Sequence, residues 1–269
     1  MLVRYTPRLA DLMPETLHPD VRLGGAAWSG YIRFDHTDPV TGNLDLRRAL
    51  AHATDREALT AVCPANVVVA GGGGVPPVLQ GHTPDIALRY DPELARECLE
   101  RSAYKGDLEL AGLAAWDAII ETIARSWEDA LGRTVAIRPL EGSVELRHRA
   151  TGSPRAPEGR IRITGWLPGY PDPEYYLRLL FQSTSRTNEG GFADPVFDEL
   201  IEAARQERSD RGRLERFHEA DRYAVAERVA VIPLVYGRST AFVQPRVHGW
   251  WEFGKSSANF ADLVVERTA

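Results

Sequence analysis

Short apolar segments alternate with helical patterns through the middle of the chain, and this alternation restricts the possible folds most. Residues 108–110, 135–137 and 161–163 have the apolar character of β-strands. Between the first two, apolar residues recur every three or four positions over 116–131, and Gly132 follows where a helix would end. The alternation predicts an α/β fold in which helices flank a mixed sheet.

Aspartate–proline pairs predict helix starts, because aspartate caps a helix amino terminus and proline fits the first turn. Three such pairs lie at 91–92, 172–173 and 194–195. Thr54 and Glu57 have the spacing of a capping box and predict a further start. A long helical pattern extends from 211 to about 230, and residues 231–236 are apolar enough for a buried strand.

The charge and the hydropathy of the chain exclude several classes of function. Its 269 residues carry a formal net charge of -6, which argues against a surface for nucleic acid or for an anionic membrane. No apolar run has the length of a membrane span. Charged residues such as Arg4, Arg8 and Asp11 indicate that the first twenty residues are not a signal peptide. We therefore expect no contact between this segment and nucleic acid.

Patterns for catalysis or cofactor binding begin at several places but are incomplete. His218-Glu219 starts like a zinc-protease helix, yet Arg222 stands where the second histidine must lie. The glycine run 71–74 is followed by a valine and two prolines, and proline cannot donate a backbone N–H group to phosphate. Residues 237–241 lack the helix that a nucleophile elbow needs. We expect a protein that is not an enzyme and that holds no cofactor.

Metal binding and disulfide formation are also weakly supported. Asp35, His36 and Asp38 are potential metal ligands, but such clusters usually form solvated turns, so we expect no metal. Cys63 and Cys98 have no metal-binding spacing. Cys98 lies on an apparent apolar helix face, which favours a buried free thiol. A disulfide between the two cysteines remains an alternative in an oxidising compartment.

Residues 165–173 form an aromatic, proline-rich loop between a predicted strand and a predicted helix. Loops at the carboxyl ends of strands in α/β folds commonly bind ligands. Trp166 and Tyr170 are therefore candidates for stacking against a ligand. The segment fits a rigid connection equally well, with Trp166 covering the core.

Several segments, taken in order, resemble the family 5 solute-binding proteins, which are the dipeptide, oligopeptide and nickel binders of ABC importers. Residues 44–59 contain the Arg-x-Ala-Leu and Asp-Arg-x-x-Leu pattern of that family. Residues 90–99 are similar to its Tyr-Asp-Pro-x-x-Ala helix, and 165–173 are similar to its Gly-Trp-x-x-x-Tyr-x-Asp-Pro loop. Further matches lie at Phe181, Asn188, 192–195, 198–201 and 231–236. Each match is short, but together they follow the family order.

The resemblance implies a lobe of the type II periplasmic-binding-protein fold, with the ligand in a cleft between two lobes. Residues 37–237 would form the second lobe, and 1–36 and 238–269 would be remnants of a first lobe that lies mostly upstream. It implies an extracytoplasmic protein, periplasmic or a cell-surface lipoprotein, that binds a small-molecule or peptide ligand and serves an ABC transporter permease. We expect it to be a monomer. The alternative is a ligand-sensing carboxy-terminal domain of an intracellular transcriptional regulator.

The resemblance places the ligand-facing wall on six residues: Trp166, Leu167, Gly169, Tyr170, Asp172 and Asn188. In peptide-binding relatives the aromatic loop carries an aspartate that pairs with the amino terminus of the peptide, and Gly169 stands at the matching position. A charge-assisted bond of this kind contributes about 1.5–3 kcal/mol, and glycine supplies none of it. We therefore expect a ligand that needs no free amino terminus, such as an oligosaccharide or a modified peptide, or a protein that has no transported ligand.

Overall fold

The computed structural model describes residues 21–64, 66–140, 159–243, 246–248, 252–253, 257–258 and 263–266. The large sheet contains β1 (Val21–Phe34), β2 (Val67–Val69), β3 (Leu108–Leu113), β4 (Val135–Leu140), β5 (Ile161–Trp166) and β6 (Val231–Phe242). The helices are α1 (Leu44–His52), α2 (Arg56–Thr60), α3 (Pro92–Ser102), α4 (Asp117–Leu131), α5 (Glu174–Phe181), α6 (Pro195–Gln206) and α7 (Asp210–Arg222). Two short pairs join β7 (Val247–His248) with β10 (Val264–Val265) and β8 (Glu252–Phe253) with β9 (Ser257–Ala258). Residues 1–20, which carry the signal-peptide prediction, lie outside the described residues.

The large sheet is mixed, as the alternation of patterns predicts. Its strand order is β2-β6-β1-β5-β3-β4. β3 runs parallel to β4 and to β5, whereas the remaining neighbours are antiparallel. The predicted α/β fold is therefore confirmed.

β1 and β6 form a ribbon that extends past the rest of the sheet. β5 pairs only with the carboxyl half of β1, from Ser29 to Phe34. The amino half of β1 pairs with β6 as far as Val21, which lies opposite Phe242. The carboxyl ends of β3, β5 and β6 consequently lie at one edge of the sheet, from which the ribbon extends. We call this the upper edge.

Two cores fill the space between the sheet and its helices. One contains Trp127 of α4 and apolar side chains of α1, α2 and α3. The other contains Phe217 of α7 and apolar side chains of α5 and α6. Because successive residues of a strand point to opposite faces, Ile32 of β1 contacts the first core and Tyr31 contacts the second. The described residues thus form three layers, with the sheet in the middle.

Local caps account for the helix starts, with one correction. Asp91 and Asp194 accept backbone N–H hydrogen bonds in the first turns of α3 and α6, as predicted. The predicted capping box at Thr54 is wrong, since α2 is capped by Asp55. The Thr54 hydroxyl accepts a hydrogen bond from Nε1 of Trp127 in the core (3.0 Å) and therefore does not cap the helix.

The helical pattern over 211–230 predicts more helix than forms. α7 ends at Arg222, a π turn follows, and Val229 then has a φ of 46°. The carbonyls of Arg228 and Val229 accept hydrogen bonds from the buried guanidinium of Arg47 (2.9 and 3.0 Å). A side chain from α1 thus stabilises the turn into β6. The spacing of apolar residues along 211–230 does not reveal this long-range contact.

The glycine run 71–74 is a loop, as predicted, and it encloses a buried carboxyl group. Asp221 of α7 is fully buried, and its Oδ1 accepts a hydrogen bond from the N–H of Gly74 (2.9 Å). A Cβ atom at Gly73 would overlap Oδ2 of Asp221, so a glycine is needed there. Burial raises the pKa of Asp221 to about 7, because desolvation disfavours the charged form.

We expect the wild type to gain stability relative to an Asp221→Asn variant as the pH falls from 8 to 5.5. The folded pKa of Asp221 exceeds the unfolded value of about 3.9, so between these values the native chain holds the extra proton. The contribution of Asp221 to stability therefore falls by about 1.4 kcal/mol per pH unit as the pH rises to about 7. Measured by urea denaturation, the free energy of unfolding of the wild type relative to that of Asp221→Asn should be about 2 kcal/mol higher at pH 5.5 than at pH 8. If the difference in free energy of unfolding between the wild type and Asp221→Asn does not vary with pH, the carboxyl group of Asp221 is not neutral in the folded chain.

Both cysteines are free thiols in the structure. Cys98 is buried in the first core, which confirms the predicted buried thiol, and Cys63 is half-buried. Burial raises the pKa of both thiols. Within the part of the chain that the structure describes, no helix is long and apolar enough to cross a membrane.

Candidate functional site

The aromatic loop predicted from the sequence leaves β5 at the upper edge. Trp166 ends β5, and its Nε1 donates a hydrogen bond to the carbonyl of Tyr175 (3.0 Å). The ring of Tyr175 lies between those of Trp166 and Tyr170, with centroid distances of 5.8 and 4.7 Å. Leu167 and Tyr170 remain 54% and 43% exposed. The loop therefore presents an apolar, aromatic surface to solvent.

Gly169 lies against the side chain of Tyr175. A Cβ atom at this position would lie 2.6 Å from the Oη atom of Tyr175. An aspartate here would therefore require the tyrosine to move. The loop has no carboxylate at this position, and Tyr175 occupies the adjacent space.

Asp172 is engaged in holding the loop to α7. Its carboxylate accepts hydrogen bonds from both terminal nitrogens of Arg213, at 2.9 and 2.7 Å. This bidentate pair raises the pKa of Arg213 and is of a strong type. The carboxylate also accepts from the N–H of Glu174, where α5 begins, one residue after the predicted start at Pro173. Its charge is thus neutralised within the protein.

Asn188 is engaged in the loop between α5 and α6. Its Nδ2 donates to the carbonyls of Phe192 (2.7 Å) and Gln182 (3.2 Å), and its Oδ1 accepts from the N–H of Phe192. Asn188 and Trp166 line one cavity of about 30 Å³, which has room for about one water molecule. The structure brings these two predicted residues together, but around a space too small for a solute.

The potential metal ligands of residues 35–38 point to different partners. His36 is buried, and its Nε2 donates to a backbone carbonyl (2.9 Å); desolvation lowers its pKa to about 4. Asp35 accepts hydrogen bonds from Thr37, whereas Asp38 pairs with Arg160. Among the described residues, no group of three or more His, Cys, Asp and Glu side chains is placed to hold a metal ion.

A second surface at the upper edge lies on the opposite face of the sheet from Trp166, and sequence analysis missed it. Trp28 of β1 packs against Trp116, which follows β3 in a short 3₁₀ turn. Their ring centroids are 5.2 Å apart and their planes are inclined by 42°. The spacing of Trp116 predicts that it belongs to the buried face of α4, but it precedes that helix and is only half-buried.

Three glycines on adjacent strands form a floor beneath Trp28. They are Gly30 of β1, Gly165 of β5 and Gly237 of β6. A Cβ atom at Gly165 would lie 2.5 Å from the indole ring, and one at Gly30 would lie 2.8 Å from it. Side chains at Gly30 or Gly165 would displace the indole, and a Cβ atom at Gly237 would crowd Trp28 at 3.1 Å, so the floor allows the ring to lie close to the sheet.

The two indoles border an open apolar groove of about 300 Å³. Val62, Val67 and Ile119 contribute apolar walls, and Asn66 and Arg238 are the polar residues. Among the described residues that line the groove, Arg238 is the ionisable one. A surface of this kind suits the burial of a planar or aliphatic group of a ligand, worth about 25 cal/mol per Å² of apolar area.

The profile of the family described as "Bacterial extracellular solute-binding proteins, family 5 Middle" matches residues 5–188. This match covers more than half of the chain. The chain belongs to this family. The resemblance carried by 44–59, 90–99 and 165–173 is therefore confirmed, and the family consists of solute-binding proteins.

The relatives have similar names and a common fold. The dipeptide-binding protein of Pseudomonas aeruginosa is 23% identical, covering 92% of this chain and 48% of the relative. The heme-binding protein A of Haemophilus influenzae is 24% identical over 91% of this chain and 46% of the relative. The solved structure of HbpA2 from Haemophilus parasuis has a TM-score of 0.77 at 20% identity, and the match covers 93% of this chain and 50% of HbpA2. The periplasmic murein tripeptide binding protein MppA has a TM-score of 0.76 at 20% identity, and the match covers 91% of this chain and 48% of MppA.

These comparisons confirm the type II periplasmic-binding-protein fold. The chain spans about half the length of the relatives that it matches.

Proposed function

We propose that this chain forms one wall of the solute-binding cleft of an ABC-import binding protein, and that the solute lies along the upper edge. The main support is the pair of indoles, Trp28 and Trp116, which borders an open apolar groove where the strand carboxyl ends meet. The exposed side chains of Leu167 and Tyr170 border the same edge from the other face. Both surfaces offer apolar contacts to one bound solute.

The six residues predicted from the sequence have two kinds of role in this proposal. Leu167 and Tyr170 contact the solute directly, because they are the exposed apolar side chains of the loop. The others give the loop its shape through contacts within the protein: Trp166, Gly169, Asp172 and Asn188.

The favoured solute is peptide-like rather than an oligosaccharide. Sugar hydroxyls require hydrogen-bond partners when they are buried, and the groove walls are mainly apolar. The dipeptide-binding and murein tripeptide binding relatives support a peptide-like solute. Gly169 has no carboxylate and Asp172 is paired with Arg213, so the loop offers no unpaired anion at these positions to a peptide ammonium. Apolar side chains, not the amino terminus, would then hold the solute.

The whole protein in this proposal has two lobes, of which residues 37–237, together with the half of β1 that pairs with β5, form the second. The ribbon that β1 and β6 form beyond β5 supports a double crossing of the chain to the first lobe. The protein acts outside the cytoplasm, in the periplasm or as a surface lipoprotein, and as a monomer it passes its solute to a permease. The relatives are named as binding proteins, which favours this function over the regulator domain.

Titration with a panel of tripeptides tests the proposal. The panel contains free and N-acetylated peptides with a central Trp, Leu, Ser or Asp. We expect the peptides with Trp or Leu to bind the chain most tightly, with or without the acetyl group. A Trp28→Ala variant should bind them at least about tenfold more weakly, equivalent to about 1.4 kcal/mol, because a large apolar contact is lost. Native mass spectrometry and calorimetry measure both affinities.

Tyr90→Ala is the matched control, since Tyr90 is an exposed aromatic residue that does not line the groove. Its affinity for the peptides should equal that of the wild type. Equal affinities of Trp28→Ala and Tyr90→Ala would contradict the proposal. Binding of free peptides that acetylation abolishes would show that the amino terminus is the main anchor, contrary to the reading of Gly169.

A further inference from the structure

We propose, on the basis of the function proposed above, that the solute is an extended peptide with two adjacent apolar side chains, one on each face of the sheet at β2. The groove bordered by Trp28 and Trp116 takes one of these side chains. A second cavity, on the opposite face of β2, takes its neighbour. The inference adds a requirement for the order of residues in the solute, which the groove alone does not impose.

The second cavity is open and has a volume of about 260 Å³. Val68 of β2, Tyr236 of β6 and the loop residues Pro77 and Val78 line it. The side chain of Val78 is 37% exposed, so a solute can reach this wall from outside. The cavity therefore offers apolar walls and enough space for one aliphatic side chain.

The groove and the second cavity lie on opposite faces of the sheet and share part of their lining. Val67 packs against the first core and lines the groove, whereas Val68 lines the second cavity. Successive residues of a strand point to opposite faces, so β2 separates the two spaces. Ala26 and Gly237 contribute to both linings, which makes the two spaces neighbours.

A peptide can reach both spaces along the outer edge of β2, which is an end strand of the large sheet. The carbonyl of Asn66 and the N–H of Ala70 bond to β6. Because backbone groups alternate in direction along a strand, those of Val67 and Val69 point away from β6. The three residues of β2 are each partly exposed.

The extended form of the peptide determines which of its residues enter the two spaces. Successive side chains of an extended chain point to opposite faces, as they do in β2 itself. A peptide that lies beside β2 as an added strand therefore sends adjacent side chains into the groove and the second cavity. Side chains two residues apart would both point towards the same space.

Three N-acetylated tetrapeptide amides test this order. They are Ser-Trp-Leu-Ser, its isomer Trp-Ser-Leu-Ser, and Ser-Trp-Ser-Ser, which has one apolar side chain. In the isomer, Trp and Leu point to the same face, so one of the two spaces stays empty. Calorimetric titration of the 269-residue chain gives each Kd. We expect Ser-Trp-Leu-Ser to bind at least about tenfold more tightly than either of the others, equivalent to about 1.4 kcal/mol.

Variants assign the preference to the second cavity. Val78→Ser should lower the affinity for Ser-Trp-Leu-Ser to that for Ser-Trp-Ser-Ser, and should leave the affinity for Ser-Trp-Ser-Ser unchanged. Trp28→Ala should weaken the binding of both peptides. Val196→Ser is the matched control, because Val196 is an exposed valine that lines neither space, and it should leave all affinities unchanged. In the wild type, Ser-Trp-Leu-Ser should shift the methyl resonances of Val78, whereas Ser-Trp-Ser-Ser should not.

The outcomes distinguish this inference from the function on which it rests. If the isomer binds as tightly as Ser-Trp-Leu-Ser, or if Val78→Ser weakens the two peptides of the variant test equally, the inference is overturned. The proposed function then stands, provided that Trp28→Ala weakens binding. Failure of all three tetrapeptides while the tripeptides bind also overturns the inference alone. Failure of tetrapeptides and tripeptides together overturns both.

Discussion

Replacing Arg47 with methionine is expected to lower the free energy of unfolding by about 4 kcal/mol. The Arg47 guanidinium is buried and donates four hydrogen bonds, to the carbonyls of Thr41, Gly42, Arg228 and Val229. Desolvation lowers its pKa to about 10, so the residue remains charged at neutral pH. Methionine fills much of the space but donates nothing, and each buried carbonyl left without a partner costs about 1–3 kcal/mol. Urea denaturation measures the loss.

Arg48→Met is the matched control for Arg47→Met. Arg48 follows Arg47 in α1 but is only half-buried, and its described hydrogen bond to the carbonyl of Glu227 is exposed. We expect it to cost less than about 1 kcal/mol. A loss for Arg47→Met within 1 kcal/mol of the Arg48→Met loss would show that the turn into β6 does not depend on this guanidinium.

Gly73→Ala is expected to destabilise the chain by about 3 kcal/mol, whereas Gly74→Ala should change its stability by less than about 1 kcal/mol. An added methyl group at Gly73 overlaps the buried carboxyl group of Asp221. The same methyl group at Gly74 would lie 3.7 Å from its nearest neighbour, in ordinary contact, and the N–H donor to Asp221 is kept. Thermal and urea unfolding of the two single variants measure the difference.

An Asp221→Ala background identifies the cause of the Gly73→Ala effect. With the carboxyl group removed, the Gly73→Ala loss should shrink to about 1 kcal/mol, since the overlap no longer exists. Additive losses in the double variant, or equal losses for Gly73→Ala and Gly74→Ala, would show that the carboxyl does not occupy this space.

The sequence predicts the layers of the fold because each layer depends on local periodicity. The strand and helix patterns over 108–137 and the aspartate caps at Asp91 and Asp194 reappear in the structure. The turn that follows α7 and leads into β6 is not predictable in this way, because Arg47 of α1, 181 residues away from Arg228, binds the carbonyl of Arg228 there. Thr54 and Asp55 are both good cap residues, and the distant Trp127 decides which of them is free to cap α2.

The candidate site is predictable only where it is contiguous in the sequence. The loop 165–173 carries its aromatic residues together, so composition alone singles it out. The groove combines Trp28, Trp116 and glycines from three strands, which become neighbours only through the order of the sheet. One local signal exists, a lone tryptophan within the small residues 24–30, but its meaning depends on what packs beside it.

The side chains that contact the loop residues also cannot be predicted from local sequence patterns. Asp172 resembles a helix cap in the sequence, and the structure adds Arg213, 41 residues away, as a bidentate partner. Gly169 is a departure visible in the sequence, but only the structure shows that Tyr175 fills the adjacent space. These contacts determine whether the loop offers an unpaired charge to a solute.

The tripeptide titration, followed at the individual indoles, tests the central claim most directly. The chain is labelled with 5-fluorotryptophan, and the fluorine resonances are assigned by single substitutions of its six tryptophans. We predict that an N-acetylated tripeptide with a central tryptophan shifts the resonances of Trp28 and Trp116, while that of the buried Trp127 stays unchanged. Saturable binding that leaves the resonances of Trp28 and Trp116 unmoved would contradict a solute site at this groove.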